Sequence, residues 1–319
     1  MSMNLKEAEI IPGMIEPVER ELLYTLARSL SLQPGDSIVE FGALFGRSTN
    51  CLAQGLTANT TRTSDNLIHA YDSFRCAADG LLSPHVRGMA EQAGLTDLLR
   101  REGPDIDFRP VFEQCLKKYI DLGVVRPVPR ELADSDPPPG TIALMHIDAP
   151  KFYDEFKIVA FRFLPQTKIG SVLVFQDFFY HWSATLIAAV AVMITRGLLT
   201  AERSAASSLV TRVTKIPTLE ELVEVDLMLG DKREIPLLIQ EAIQIARAVP
   251  LDRADMFLPR LYLAKFQYLW EGGNFAEAAD EVGQFFNSGN TLNQSVVTDF
   301  MEMMAKGFSI RRLYEQDHV

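Results

Sequence analysis

IVEFGALFGRST, residues 38 to 49, is the stretch whose reading decides the fold. An apolar run from Ser37 to Phe41 carries one acid, Glu40, near its end. Gly42 and Gly46 follow, four residues apart, and GRSTNCLAQGL then reads as a helix. A buried strand closed by a glycine turn and followed at once by a helix is how a parallel βαβ unit begins.

Outward from that turn the same alternation continues. On the N-terminal side, Pro17 stands where a helix tolerates proline best, and Val18, Leu22, Leu26 and Leu30 repeat at four-residue spacing until QPGD ends the helix. On the C-terminal side, LIHAYDSF is a short strand ending at Asp72, EQAGLTDLLRREG reads as helical, and GVVRPVPREL holds a proline-interrupted strand. The breaker DSDPPPG precedes a buried strand, TIALMHID, and a helix through YDEFKIVAFRFLPQ. A turn is expected at Ile169-Gly170, then the strand SVLVFQDFF and a buried helix, ATLIAAVAVMIT.

Strands alternating with helices specify an α/β fold, a Rossmann-like, doubly wound, mostly parallel sheet covered on both faces. After Pro217 the pattern turns helical, so residues 1–217 form one expected domain and residues 218–319 an α-helical C-terminal region. Within the latter, Ala264, Tyr268, Gly272, Phe275, Ala279 and Val282 are spaced as in a helical hairpin with a Gly-Gly-Asn turn, similar to one tetratricopeptide unit. No second copy follows at that repeat's period.

Composition narrows the function. The 319 residues carry a formal net charge of -11 and no basic run, which speaks against a nucleic-acid surface. The longest apolar run is too short to span a bilayer, and the N-terminus lacks the charged and apolar regions of a secretory signal. Three widely spaced cysteines, Cys51, Cys76 and Cys115, suit a reducing compartment and read as structural thiols, so the expected location is cytoplasmic.

Ligands of such sheets bind outside the carboxyl ends of the strands. Glu40, Asp72, Asp148 and Asp177 each fall at or near such an end. The turn could serve a dinucleotide, but Leu44 stands where the second glycine of Gly-x-Gly-x-x-Gly belongs, which disfavours a pyrophosphate and with it a nicotinamide enzyme. An acid followed by two glycines at this spacing is similar to the first motif of class I S-adenosylmethionine-dependent methyltransferases. A tight turn with no ligand is the competing reading of the motif taken alone.

Taken together, VEFGALFGRST, AYDSF, HIDAPKFYDEFK and VFQDFFYHW follow the order and spacing of the macrocin O-methyltransferase (TylF-like) family, over about residues 15 to 200. Members of that family methylate hydroxyls of natural-product sugars. The resemblance implies that Glu40, Gly42 and Gly46 face the methionyl part of S-adenosylmethionine, and that Asp72 and Ser73 lie at its ribose, where a carboxylate can accept both hydroxyls. It also implies a divalent metal, Mg2+, held by Asp148 and by a pair of acids after the fifth strand.

Here the sequence departs from the family. Gln176 replaces the first acid of that pair and leaves Asp177 alone, while Pro150 occupies the position of the presumed base. The candidate replacement base is His181, ahead of His146, which reads as a core histidine, and Lys151, which reads as a solvated flank. Among the aromatic residues, Phe175 reads as core, whereas Tyr180 and Trp182 suit core and acceptor pocket equally. The expected function is methylation of a small-molecule acceptor, at oxygen, with the C-terminal helices covering the site or forming a homodimer. The alternative is a methyltransferase fold that has lost catalysis and serves as a binding or assembly partner.

Overall fold

The chain reaches its first sheet strand through α1 (Leu5–Ile10) and α2 (Pro17–Ser29), then forms β1 (Asp36–Phe41), α3 (Arg47–Thr57), β2 (Ile68–Asp72) and β3 (Arg75–Ala77). It continues through α4 (Leu82–Gln92), β4 (Arg100–Glu102), β5 (Asp105–Asp107), α5 (Arg109–Asp121), β6 (Val125–Pro129) and β7 (Thr141–Ile147). Next come α6 (Tyr153–Arg162), β8 (Thr167–Phe175), α7 (Ala184–Thr195), β9 (Leu199–Ala205) and β10 (Ser208–Val213). Four helices follow: α8 (Leu219–Gly230), α9 (Glu234–Ala248), α10 (Ala254–Glu271) and α11 (Phe275–Asn287). The structure, a computed structural model, describes residues 3–287, 293–298 and 301, so residues 302–319 of the expected C-terminal region lie outside it.

Seven strands make the main sheet in the order β6-β2-β1-β7-β8-β10-β9. β1 is parallel to both β2 and β7, β2 is parallel to β6, and β10 runs antiparallel to β8 and β9. This is the Rossmann-like, mostly parallel arrangement expected of class I methyltransferases, with an antiparallel hairpin at one edge and a helical C-terminal region. From β1 the chain winds outward through β2 to β6, then returns to the other side of β1 at β7. The switch in strand order, where open α/β sheets bind ligands, therefore lies between the carboxyl ends of β1 and β7.

Among the described residues two compact units are distinguished by their internal contacts: those up to 149 with 166–171, and 150–165 with those from 172 onward. In the first, Pro17 opens α2 and a reciprocal Glu16–Glu19 capping box secures it. β1 is buried at every position, as a strand covered on both faces must be. In the second, α7 is buried from Leu186 to Met193, which accounts for its uninterrupted apolar sequence. α10 and α11 form the expected helical hairpin, cored by Leu263, Phe266, Leu269 and Ala278 with Val282 beside them. Phe275 and Ala279, two of the positions matched to a tetratricopeptide unit, are exposed, with Phe275 edge-on to Trp270.

Two local expectations are corrected, and one hairpin was not expected. EQAGLTDLLRREG is not one helix: α4 stops at Gln92, Gly94 takes φ +67, and Arg100–Glu102 forms a strand of a separate three-stranded sheet, β3-β5-β4. Strands of three residues are too short for alternation to reveal them. Ile169-Gly170 is not a turn but lies inside β8, whose start is fixed by Lys168 Nζ on Asp36 Oδ2 at 2.5 Å and by Ser171 Oγ donating to the Ile142 carbonyl at 2.7 Å. The β9–β10 hairpin left no legible signal, because Ala and Ser interrupt its apolar positions.

Gly46 shows how closely the opening turn is built. It caps α3 with φ +91, and a Cβ there would lie 2.1 Å from Leu116 Cδ2 and 3.1 Å from Phe112 Cδ2 on α5. Gly46→Ala combines backbone strain with overpacking and is expected to destabilise the protein by about 2–4 kcal/mol in urea titrations. Leu116→Ala, costly by itself at a fully buried position, should cost less in the Gly46→Ala protein than in the wild type. A double variant no more stable than expected from additivity would show that the steric contact is not the cause.

Candidate functional site

β1 ends at Phe41, whose carbonyl accepts from the backbone N–H groups of Asp148 at 3.0 Å and Ala149 at 2.9 Å. The chain leaving β7 is thereby tied to the chain leaving β1. Gly42 is required by that closeness: it has φ +86, and a Cβ would meet the Ala149 backbone nitrogen at 2.7 Å. Leu44, the residue that broke the dinucleotide motif, also adopts a left-handed backbone, φ +47.

Asp72 holds Leu44 there. At the end of β2, Asp72 Oδ2 accepts from the Leu44 N–H at 2.9 Å and Oδ1 from the Phe74 N–H at 2.6 Å. Phe74 is left-handed as well, φ +56. A carboxylate has about four lone-pair positions, so after the Leu44 and Phe74 amides, and the weaker Ala43 amide, capacity for a further donor remains. Strained non-glycine backbone concentrates where function overrides local preference, and here two such residues hang on one carboxylate. Ser73, the neighbour of Asp72, exchanges hydrogen bonds with the Arg75 backbone. It lines a polar cavity of about 710 Å3 with Arg75, Arg100, Arg109 and Arg130. Glu40, Gly42, Gly46 and Asp72 do not line that cavity.

Glu40 is fully buried. Its Oε1 lies 3.0 Å from His146 Nδ1, and its Oε2 accepts a short hydrogen bond from Thr49 Oγ1 on α3. The acid therefore ties β1 to β7 and to the helix after the turn. His146 is the satisfied core histidine that its place in an apolar strand implied.

Burial pushes the Asp72 carboxyl up to about 6, against the opposing pull of the Leu44, Phe74 and Ala43 amides. Burial, with Arg126 nearby, pulls His69 on the same strand down to about 4. The two act on stability in opposite directions. Between pH 4 and 6 the unfolded chain has released the Asp72 proton while the native protein retains it, so this group's contribution falls as pH rises. Between pH 4 and 6.5 the unfolded chain holds the His69 proton and the native protein does not, so this contribution grows. Each is worth about 3 kcal/mol and the two nearly cancel. Urea stabilities at pH 4.5 and 6.5 should reveal them separately. Relative to the wild type, Asp72→Asn should become more stable with rising pH and His69→Leu less so; parallel profiles would refute the assignment.

The expected metal residues assemble differently. Asp148 follows β7 directly, and Gln176 and Asp177 follow β8, with Gln176 buried. Asp177 takes φ +59, and its Oδ2 accepts from Lys151 Nζ at 2.6 Å while Oδ1 accepts from Ser207 Oγ at 3.2 Å. Lys151 is therefore no solvated flank: its side chain is 13% exposed and its ammonium covers the carboxylate that a metal would need. Among the described residues no group of three or more His, Cys, Asp or Glu side chains is placed to hold a metal ion. With Pro150 and Gln176 contributing no charge, this donor set does not fit Mg2+, which prefers several hard anionic oxygens.

His181 opens a short 3-10 turn before α7 and is 8% exposed, edge-on to Trp182 with ring centroids 5.5 Å apart. Trp182 stacks on Tyr180 at 4.2 Å, and the Arg260 guanidinium lies 4.7 Å over the Tyr180 ring. Phe175, Phe178 and Phe179 are core. Cys51 is buried, its thiol pushed up to about 12, and Cys76 and Cys115 are half-buried; no disulfide joins the three. No described helix is long and apolar enough to cross a membrane.

No protein-family model matches the chain, and no curated protein matches it. Among solved structures, the O-methyltransferase NovP superposes with a TM-score of 0.45 at 17% identity, covering 64% of this chain and 82% of its own. CalS11, a TDP-rhamnose 3'-O-methyltransferase of calicheamicin biosynthesis, gives 0.38 at 18%, covering 66% and 80%. An O-methyltransferase from Bacillus cereus, solved in complex with SAH, gives 0.37 at 15%, covering 67% and 93%. At these scores the fold assignment rests on strand order and pairing.

Proposed function

We propose that this chain is an S-adenosylmethionine-dependent methyltransferase that methylates a small-molecule acceptor at oxygen, with residues 1–217 as the methyltransferase domain. The observation that carries the reading is Asp72, which holds the Gly42–Gly46 turn through Leu44 and keeps acceptor capacity on its carboxylate. When bound, the cofactor supplies an electrophilic methyl group on a sulfonium. Asp72 takes the ribose hydroxyls, with Ser73 beside it, and the backbone from Gly42 to Gly46 lies along the methionyl part. Glu40 acts from beneath, fixing the turn through Thr49 and His146.

The acceptor hydroxyl must lose a proton as it attacks. We assign that proton to His181, which follows β8, and the electrostatic support of the developing oxyanion to Lys151, oriented by Asp177. Such a site needs no divalent metal. The test is transfer of a labelled methyl group from S-adenosylmethionine to a panel of hydroxylated sugars and phenols. Transfer should survive EDTA, and Lys151→Ala should lower kcat by about 10–100-fold while leaving cofactor affinity unchanged. Transfer abolished by EDTA and restored by Mg2+ would overturn the assignment to Lys151, and transfer to no acceptor despite tight cofactor binding would overturn the catalytic reading.

A further inference from the structure

Arg20, on the face of α2 that packs against α3, is 6% exposed. Its Nε and Nη1 are closed off from solvent and donate to nothing among the described residues. The acid in range is Glu9, whose Oε1 is 4.0 Å from Nη1 on a side chain that is itself 58% exposed. Arg47, the first residue of α3, lies close enough for the Arg20 charge, after burial, to lower its pKa. Arg47 finds only neutral partners: Nε donates to the Ile11 carbonyl at 2.5 Å and Nη1 to the Gly13 carbonyl at 2.7 Å. One turn further along α3, Asn50 is fully buried with Nδ2 unpartnered, its Oδ1 already accepting from Gln54.

One buried and one half-buried guanidinium group, beside the positive end of an 11-residue helix, thus share one exposed carboxylate, Glu9, 4.0 Å from Arg20 Nη1. A buried cation whose carboxylate partner stays largely in solvent at 4.0 Å is poorly compensated, and a guanidinium's fork of N–H groups matches a carboxylate in shape as well as sign. We infer that Arg20, supported by Arg47, binds the methionyl carboxylate of S-adenosylmethionine. The inference rests on the methyltransferase reading. It divides the ligand between two ends of one turn: Asp72 takes the ribose through one side of the Gly42–Gly46 turn, and the anionic end goes to the helix that the turn opens into. The carboxylate is the cofactor's anionic group.

Calorimetry with S-adenosylhomocysteine and with its decarboxylated analogue, S-adenosyl-3-thiopropylamine, tests this on the intact protein. The wild type should prefer the carboxylate ligand by about 10- to 150-fold, the range of a charge-assisted hydrogen bond. Arg20→Gln should lose that preference by weakening the carboxylate ligand alone. Equal wild-type affinities for the two ligands would overturn the inference without any variant, and so would an Arg20→Gln protein that keeps the wild-type preference. Sodium sulfate provides the third arm. If neither nucleoside binds but sulfate raises the melting temperature of the wild type and not of Arg20→Gln, the methyltransferase reading falls, and the pair of arginines is a site for an inorganic anion instead.

Discussion

Asp72→Ala is expected to weaken S-adenosylhomocysteine binding by at least about 100-fold and to destabilise the protein by about 2 kcal/mol. The binding loss follows from two hydroxyls losing charged acceptors, each such bond being worth about 1.5–3 kcal/mol. The stability loss follows from the two backbone N–H groups, of Leu44 and Phe74, that the carboxylate now satisfies. It is moderated because the substitution also removes a buried charge whose pKa burial has raised to about 6. That value adds a second signature. If the ionised carboxylate is the binding form, affinity should fall about tenfold between pH 7 and pH 5 in the wild type and stay level in Asp72→Asn. Calorimetry of the three proteins at the two pH values measures both effects, and an Asp72→Ala protein that binds like the wild type would remove the turn as the cofactor site.

Glu40→Ala should produce the largest loss of stability, about 3–5 kcal/mol, because it strips the partner from a buried histidine and a buried threonine at once. Glu40→Gln keeps an oxygen and a nitrogen where the carboxylate stood and should lose no more than about 2 kcal/mol. Urea denaturation distinguishes the two variants. A Glu40→Ala protein within 1 kcal/mol of the wild type would mean that the buried network does not hold β1, β7 and α3 together.

What could be read from the sequence, and what could not, divides by the range of the interactions involved. β1, the glycine turn and α3 were legible because alternation, glycine and helical spacing are local signals, and the same holds for α2, β7 and α7. The left-handed backbone at Leu44 was not, because it depends on a hydrogen bond from Asp72, 28 residues away. The ammonium of Lys151 on Asp177 was hidden for the same reason, across 26 residues. Its flank reading followed the usual behaviour of lysine, which the fold overrides here. Arg20 could have been found: it shares a helix face with Leu23 and Ala27, three and seven residues on, both buried. An arginine inside an apolar face is a question about its counter-charge.

Titration of the purified protein with S-adenosylhomocysteine, once in Mg2+ and once in EDTA, shows whether the turn between β1 and α3 binds S-adenosylmethionine. The proposed function predicts saturable binding at one site per chain, with the same affinity in both buffers. The absence of binding in either buffer at millimolar ligand would contradict the account, and binding that requires Mg2+ would contradict the place given to Lys151.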